Sequence, residues 1–248
     1  MDAQTLSQTL SGLDLVGRLA ALSRLVSGRL TFTTSFGLED QAILHAIAES
    51  NARVTVATLD TGRLFQETYE VWAASQARYG VAIAAFAPRT EDVEALVAAQ
   101  GPQGFRASVE ARKACCGVRK VEPLRRALAG ASGWITGLRA EQSAHRAATP
   151  LAEVDAAFGL LKINPLADWT RREVADYVAA RGAPYNALHD RGYPSIGCAP
   201  CTRAVAPGEP ERAGRWWWED EARKECGLHV AADGRLVRSA APVAEAAR

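Results

Sequence analysis

Four of the five cysteines of this chain fall in two short stretches, Cys115-Cys116 and Cys198-Ala-Pro-Cys201. Two compact thiol pairs far apart in sequence suit a metal centre, because each segment supplies two sulfurs and the metal ties the segments together. An iron–sulfur cluster is the favoured reading and structural zinc the alternative. The vicinal pair must turn both side chains to one centre, and a disulfide between neighbours is strained. Lys113 and Arg119 either add positive charge beside the thiolates or form a solvated helix face. The fifth cysteine stands in Glu225-Cys-Gly-Leu-His229. In so polar a setting, close to His229, Cys226 is easier to assign to nucleophilic chemistry than to packing, since a nearby cation can hold it as the reactive thiolate.

A second set is cationic. Arg63, Arg139, Arg203, Arg212 and Arg215 each fall at an expected strand end or in a loop. Singly they read as surface charges; gathered at one sheet edge they would hold a multiply charged anion through paired N–H donors. Of the other histidines, His45 fits a helix face, and His145 and His189 fall in loops with no visible partner.

The elements that position these residues alternate. A helix is expected over 13–27, then a strand over Leu30–Ser35, a Phe36-Gly37 turn and a helix from Glu39. A second strand, Arg53–Thr58, runs into Leu59-Asp-Thr-Gly-Arg63. A helix over 64–79, a strand over Val81–Phe86 and a helix capped by Thr90 follow. Residues 100–104 read as a loop or lid, and the segment after Cys116 as a helix. Strands are expected over 133–137 and 160–164. Thr170 and Glu173 form a capping box for a helix running to about Arg181. This alternation means an α/β fold with a largely parallel sheet, whose strand ends bind ligands. The strand–turn–helix at Ser35–Gly37 presents backbone N–H groups to a phosphate, although it matches neither the Walker nor the dinucleotide glycine pattern.

At 248 residues, with 48% hydrophobic and 23% charged residues, the chain has the composition of a globular protein with a substantial core. Its net charge of +1 supplies no global field for nucleic acid, so no nucleic-acid partner is expected. No apolar run is long enough for a membrane span. The odd cysteine count and the lack of a signal-like N-terminus argue against a disulfide framework and for the cytoplasm. One α/β domain over 1–205 and a mobile C-terminal arm over 206–248 are expected. Within the arm, Trp216-Trp-Trp218 cannot all face one core, and at least one ring is expected at a cleft or interface. The tryptophan run and the N-terminal helix suit a homo-oligomer interface.

From about Thr33 to His229 the chain closely resembles the assimilatory sulfonucleotide reductases, which reduce adenylyl sulfate (APS) or its 3′-phosphorylated form (PAPS) to sulfite. Seven motifs carry the resemblance in order: Ser-Phe-Gly-Leu-Glu-Asp (35–40), Leu-Asp-Thr-Gly-Arg (59–63), Lys-Ala-Cys-Cys (113–116), Gly-Leu-Arg-Ala-Glu-Gln-Ser (137–143), Cys-Ala-Pro-Cys-Thr-Arg (198–203), Arg-Ala-Gly-Arg-Trp-Trp-Trp-Glu (212–219) and Glu-Cys-Gly-Leu-His (225–229).

The resemblance implies a Rossmann-like adenine-nucleotide domain and a [4Fe–4S] cluster on Cys115, Cys116, Cys198 and Cys201. It implies that Cys226 attacks the sulfonucleotide sulfur, that AMP leaves, and that thioredoxin or a glutaredoxin-like dithiol protein releases sulfite from the S-sulfocysteine. Ser35, Gly37, Leu59, Gly62, Arg63 and Arg139 are expected to line the nucleotide pocket, with Arg212 and Arg215 toward the phosphosulfate and His229 a further substrate-binding residue. Lys113 is expected to couple the cluster's charge to the sulfate. Members with all four cluster cysteines are associated mainly with APS, the expected substrate here; PAPS, or both, is the alternative. An ATP-dependent tRNA thiolation enzyme is the more distant rival, but its S-G-G-x-D-S loop is absent. A zinc-stapled nucleotide-binding module is the non-enzymatic one.

Overall fold

The computed structural model describes residues 1–143 and 146–219. Among these, β1 (Leu30–Thr34), β2 (Val54–Leu59), β3 (Ile83–Phe86), β4 (Gly133–Ile135), β5 (Ala152–Asp155) and β6 (Leu160–Ile163) form one sheet in the order β3-β2-β1-β4-β6-β5. Every pairing is parallel except β5 against β6. β2 flanks β1 on one side and β4 on the other, so chain connections diverge at the carboxyl end of β1. That is the switch point where open α/β sheets leave a ligand crevice.

Helices fill the connections. α1 (Ala3–Ser11) and α2 (Leu15–Leu25) precede the sheet, and α3 (Leu38–Ser50), α4 (Gln66–Tyr79) and α5 (Thr90–Gln100) follow β1, β2 and β3. α6 (Val109–Cys116) continues through a π turn at Gly117–Val121 into α7 (Glu122–Leu128), and α8 (Arg171–Ala180) follows β6. The two faces of the sheet bury different cores. Phe32, Ile135 and Ile163 pack with Leu19, Leu22, Ile43, Ile47 and Val174, while Trp134, next to Ile135, packs with Leu124, Leu128 and Phe158. Alternation along a strand sends neighbours to opposite faces, so both are covered, as parallel sheets require. No helix among the described residues is long and apolar enough to cross a membrane.

The expected βα alternation is present, with local corrections. α1 was not anticipated: Asp2 caps it by accepting from Thr5 N at 2.8 Å, and Leu6 and Leu10 bury its one apolar edge. β5 was missed because Ala-Glu-Val-Asp carries little strand signal; it exists by pairing with β6. Thr90 is not a cap: Arg89 occupies that position with no side-chain bond, and Thr90 is the first helical residue. Lys113–Cys116 is itself helical, as the last turn of α6, and the helix expected after Cys116 follows as the π turn and α7. The capping box at Thr170 and Glu173 is formed.

Candidate active site

The turn after β1 is held in a conformation that its sequence does not favour. Phe36 has φ 60, a left-handed value unusual for a bulky residue. Its ring is buried and stacks on Trp72 with centroids 5.6 Å apart. Asp40, in the first turn of α3, accepts from Ser35 N at 2.6 Å and Ser35 Oγ at 2.8 Å. Phe36 N donates to Thr34 Oγ1 at 3.0 Å. Packing and hydrogen bonds together over-determine the strained turn, as such backbone requires. Gly37 caps α3 without a side-chain bond, and Glu39 and Asp40 stand in the helix's first turn. Burial is the largest influence on Asp40 and pushes its carboxyl up to about 6, against the Ser35 bonds. Gly137, from the β4 end, approaches so closely that any Cβ there would overlap Asp40 Oδ1.

A cavity of about 230 Å³ opens at these strand ends. Ser35 and Gly37 line it, with Thr58 and Leu59 from β2, Thr136–Leu138 beyond β4, the Pro194–Gly197 loop, and Arg212 and Arg215. Five of the residues expected at a nucleotide site therefore meet here: Ser35, Gly37, Leu59, Arg212 and Arg215. Arg139 does not line the cavity. It is fully buried, donating to Glu39 at 2.7 Å, Glu141 at 3.0 Å and Glu211 at 3.0 Å. A guanidinium so deep in the protein must be matched by carboxylates, and Glu39 and Glu211 themselves line the cavity. Glu39, facing Arg139, is held below the usual carboxylate range despite its burial, whereas burial raises Glu211.

The four thiols gather in a second, smaller cavity. Cys115, Cys116, Cys198 and Cys201 line it with Arg63, Arg112, Arg119, Lys120, Arg215, Phe105 and Trp216. Two elements deliver the sulfurs: the C-terminal turn of α6, and a 3-10 turn at Ala199–Cys201. The 3-10 turn is tied to the Asp-Thr-Gly-Arg loop by Ala199 N donating to Arg63 O at 2.8 Å, and Thr61 Oγ1 lies 3.3 Å from Cys198 Sγ. Arg119 donates to Thr61 O at 2.7 Å from the other side. Burial raises the Cys115 thiol against the pull of Arg63 and Arg119, and pushes Cys201 up to about 11. Among the described residues no three His, Cys, Asp or Glu side chains form a site for a single metal ion. The four thiols share a cavity instead, and five cations line it.

Arg63 belongs to this second cavity, its guanidinium 5.0 Å from the Phe105 centroid. Gly62 lines neither, and an added Cβ would rest 3.4 Å from Arg119 Nη1. Lys113 is exposed and also lines neither. Lys120 lines both, as does Arg215. Lys120 went unnoticed in the sequence although it stands one helical turn beyond Cys116. Asp40 was likewise passed over, a carboxylate hidden inside a matched motif.

The segment beyond residue 206 packs closely as far as Glu219. Thr202 bridges Arg215 in antiparallel fashion, and Trp216 N donates to Cys201 O at 3.1 Å. Trp216 is buried between the guanidinium groups of Arg112 and Arg215, at 4.5 and 4.7 Å. Arg112 in turn meets Glu219 at 2.6 Å, both buried. One tryptophan therefore covers the thiol cavity, as the run of three suggested. Arg203, grouped with the anion-holding arginines, instead pairs with Glu209 at 2.8 Å. Cys226, His229 and His145 lie outside the described residues.

Residues 29–204 match the model of the phosphoadenosine phosphosulfate reductase domain. The chain is similar to the adenosine 5′-phosphosulfate reductase of Sinorhizobium fredii, 57% identical over 93% of this chain and 91% of that one. It is similar also to the adenosine 5′-phosphosulfate reductase of Rhizobium meliloti, 58% identical over 89% and 83%. Among solved structures it resembles phosphoadenylyl-sulfate (PAPS) reductase from Candida auris in its phosphate complex. That likeness has a TM-score of 0.69 and 29% identity, over 82% of this chain and 95% of that one. With a match spanning the sheet, the Ser35–Gly37 turn and the thiol-bearing segments, this chain belongs to the phosphoadenosine phosphosulfate reductase domain family.

Proposed function

We propose that this protein is a thioredoxin-dependent adenylyl-sulfate reductase, converting APS to sulfite and AMP. One observation carries the reading beyond the family: the strand-end cavity and the four-thiol cavity share Lys120 and Arg215. Two cations at that junction suit a phosphosulfate, whose charge is concentrated at one end of the nucleotide. The nucleoside then lies toward Leu59, Trp134 and the Ser35–Gly37 turn.

The donor set fits a [4Fe–4S] cluster. Four soft thiols around one cavity, with no carboxylate in its lining and five cations facing it, suit a polyanionic iron–sulfur group. Cys115, Cys116, Cys198 and Cys201 would hold it, and its chemistry would be that of a fixed negative centre stapling α6 to the Ala199 turn. Holding the group would require Cys115 and Cys201 as thiolates, although burial raises both thiols.

In the reaction, the Cys226 thiolate attacks the sulfate sulfur. An S–S bond forms, the bond from sulfur to the bridging oxygen breaks, and AMP leaves with that oxygen. Lys120, Arg212 and Arg215 stabilise the charge that collects on the phosphate oxygens. A dithiol protein such as thioredoxin or a glutaredoxin-like reductant then attacks Cys226 Sγ. Sulfite departs, and the second thiol resolves the mixed disulfide; the dithiol supplies both electrons. Cys226 follows the anchored Glu219 by seven positions, with six residues between them. His229, outside the described residues, is the further proposed substrate-binding residue. Dependence on a reduced dithiol partner favours the cytoplasm, and a homo-oligomer remains the proposed assembly.

Intact mass of anaerobically prepared protein, mixed with APS or PAPS without reductant, tests the proposal. A sulfonate-sized gain with APS, absent in Cys226→Ser, is expected. The same gain with PAPS alone reassigns the substrate, and no gain with either sinks the mechanism.

A further inference from the structure

His189 lies in a 3-10 turn, Ala187–Arg191, and lines the strand-end cavity. Its Nδ1 is 2.8 Å from the carbonyl of Tyr193. A carbonyl only accepts, so Nδ1 carries the proton and the bond fixes both ring orientation and tautomer. Nε2 is then a bare acceptor. It is buried and meets no hydrogen-bond partner among the described residues. Burial, first, and then the charge of Arg171 hold the imidazole below its ordinary pKa and therefore neutral, while the Tyr193 bond and the more distant Glu39 and Asp190 oppose them. A buried acceptor without a donor is destabilising, a penalty that a ligand donor would remove.

We infer that His189 is a ligand-binding residue whose Nε2 accepts a hydrogen bond from the nucleoside part of the bound nucleotide. This rests on the proposed reading of the cavity as an adenylyl-nucleotide site. The chemistry narrows the contact sharply. Phosphate and sulfate oxygens are acceptors at neutral pH and repel a bare Nε2. An adenylyl nucleotide carries three donor groups: the 6-amino group and the 2′- and 3′-hydroxyls of the ribose. On this reading His189 faces the nucleoside and not the phosphosulfate. If the donor is the 3′-hydroxyl, a 3′-phosphate would replace it with acceptors, and His189 would also disfavour the 3′-phosphorylated nucleotide.

A thermodynamic cycle with AMP and its analogues tests this on the full-length, cluster-loaded protein. The probes are AMP, purine riboside 5′-monophosphate (no 6-amino group), 2′-deoxy-AMP and 3′-deoxy-AMP, titrated against wild type and His189→Leu. His189→Leu should weaken AMP about tenfold, the size of one hydrogen bond. One analogue should bind wild type about tenfold more weakly than AMP yet bind the variant no worse than AMP does. That analogue names the donor. Since ligand-dependent coupling is insensitive to a general loss of fold, a merely structural histidine gives the same ratio of analogue to AMP in both proteins. Equal ratios for all three analogues, with AMP binding intact, overturn the inference alone. Failure of wild type to bind AMP at all overturns both it and the reading of the cavity.

Discussion

The two cavities meet at Lys120 and Arg215 but are built on opposite principles. The strand-end cavity takes its walls from consecutive βα turns, and its charges are balanced, with Glu39, Asp40 and Glu211 set among Lys120, Arg146, Arg212 and Arg215. The thiol cavity joins two segments more than eighty residues apart, and its lining holds five cations and no carboxylate. A balanced site suits a ligand that must arrive and leave. An unbalanced one suits a resident group whose own negative charge completes it. If so, removing a thiol should damage the second cavity wholesale, whereas changes at the first should alter binding by degrees.

The largest effect is expected at the thiols. Cys198→Ala should lose nearly all bound iron and acid-labile sulfide, read by metal and sulfide analysis of anaerobic protein, and reductase activity with them. A full complement of both in the variant would break the assignment of the cavity. Next come the two lysines, which separate position from proximity in sequence. Lys120→Ala should lower turnover roughly 100-fold, the scale seen when one charge-stabilising donor is removed. Lys113→Ala should leave it within about twofold, as for an exposed surface change. The reverse ranking, in steady-state rates of sulfite release, would return the coupling role to Lys113.

A third test falls on Asp40 and carries a sign. Its folded carboxyl titrates near 6 and its ordinary value is 3.8, so the folded chain holds the extra proton between those values. Stability from this group is therefore greatest at the acid end and falls as pH rises through about 6. Asp40→Asn abolishes that term. Its stability relative to wild type should improve by about 3 kcal/mol between roughly pH 3 and pH 7, whatever offset the lost Ser35 bonds impose. Denaturant unfolding of both proteins across that range reads the slope. A constant difference would show that Asp40 titrates normally and that the turn is held by packing alone.

The sheet was legible in the sequence because strands such as Leu30–Thr34 and Val54–Leu59 are short β-branched runs, each leading through a polar turn to a helix. Side-chain pairing over distance was not. Arg139 reads as a strand-end cation, and nothing in its neighbourhood announces Glu39 from 100 residues before it or Glu211 from 72 after it. Lys113 and Lys120 both lie within about one helical turn of Cys116 along the chain. Which of the two reaches the strand-end cavity is tertiary information, set by the π turn that carries Lys120 and by the Arg119 bond to Thr61. β5 and α1 were hidden for a related reason. Their local signals are weak, and Ser7 Oγ and Ala152, 145 residues apart, hold them together.

The smallest expected effect lies on the outer wall of the thiol cavity. Arg106 is exposed, yet its guanidinium sits 5.7, 5.4 and 5.2 Å from the ring centroids of Phe105, Trp217 and Trp218, and it donates to Pro200 O at 3.1 Å. It thus clips the tryptophan run to the Ala199 turn without lining either cavity. Exposed cation–π contacts contribute about 0.5–1 kcal/mol each, and their shared cation makes the three far from additive. Arg106→Ala should therefore lower the unfolding temperature by only a few degrees, on the scale of about 1 kcal/mol for a domain of this size. AMP affinity and iron content should not change. A loss of iron from this variant would mean that the outer aromatic clip, and not the buried Arg112–Glu219 pair, is what keeps the segment over the thiols.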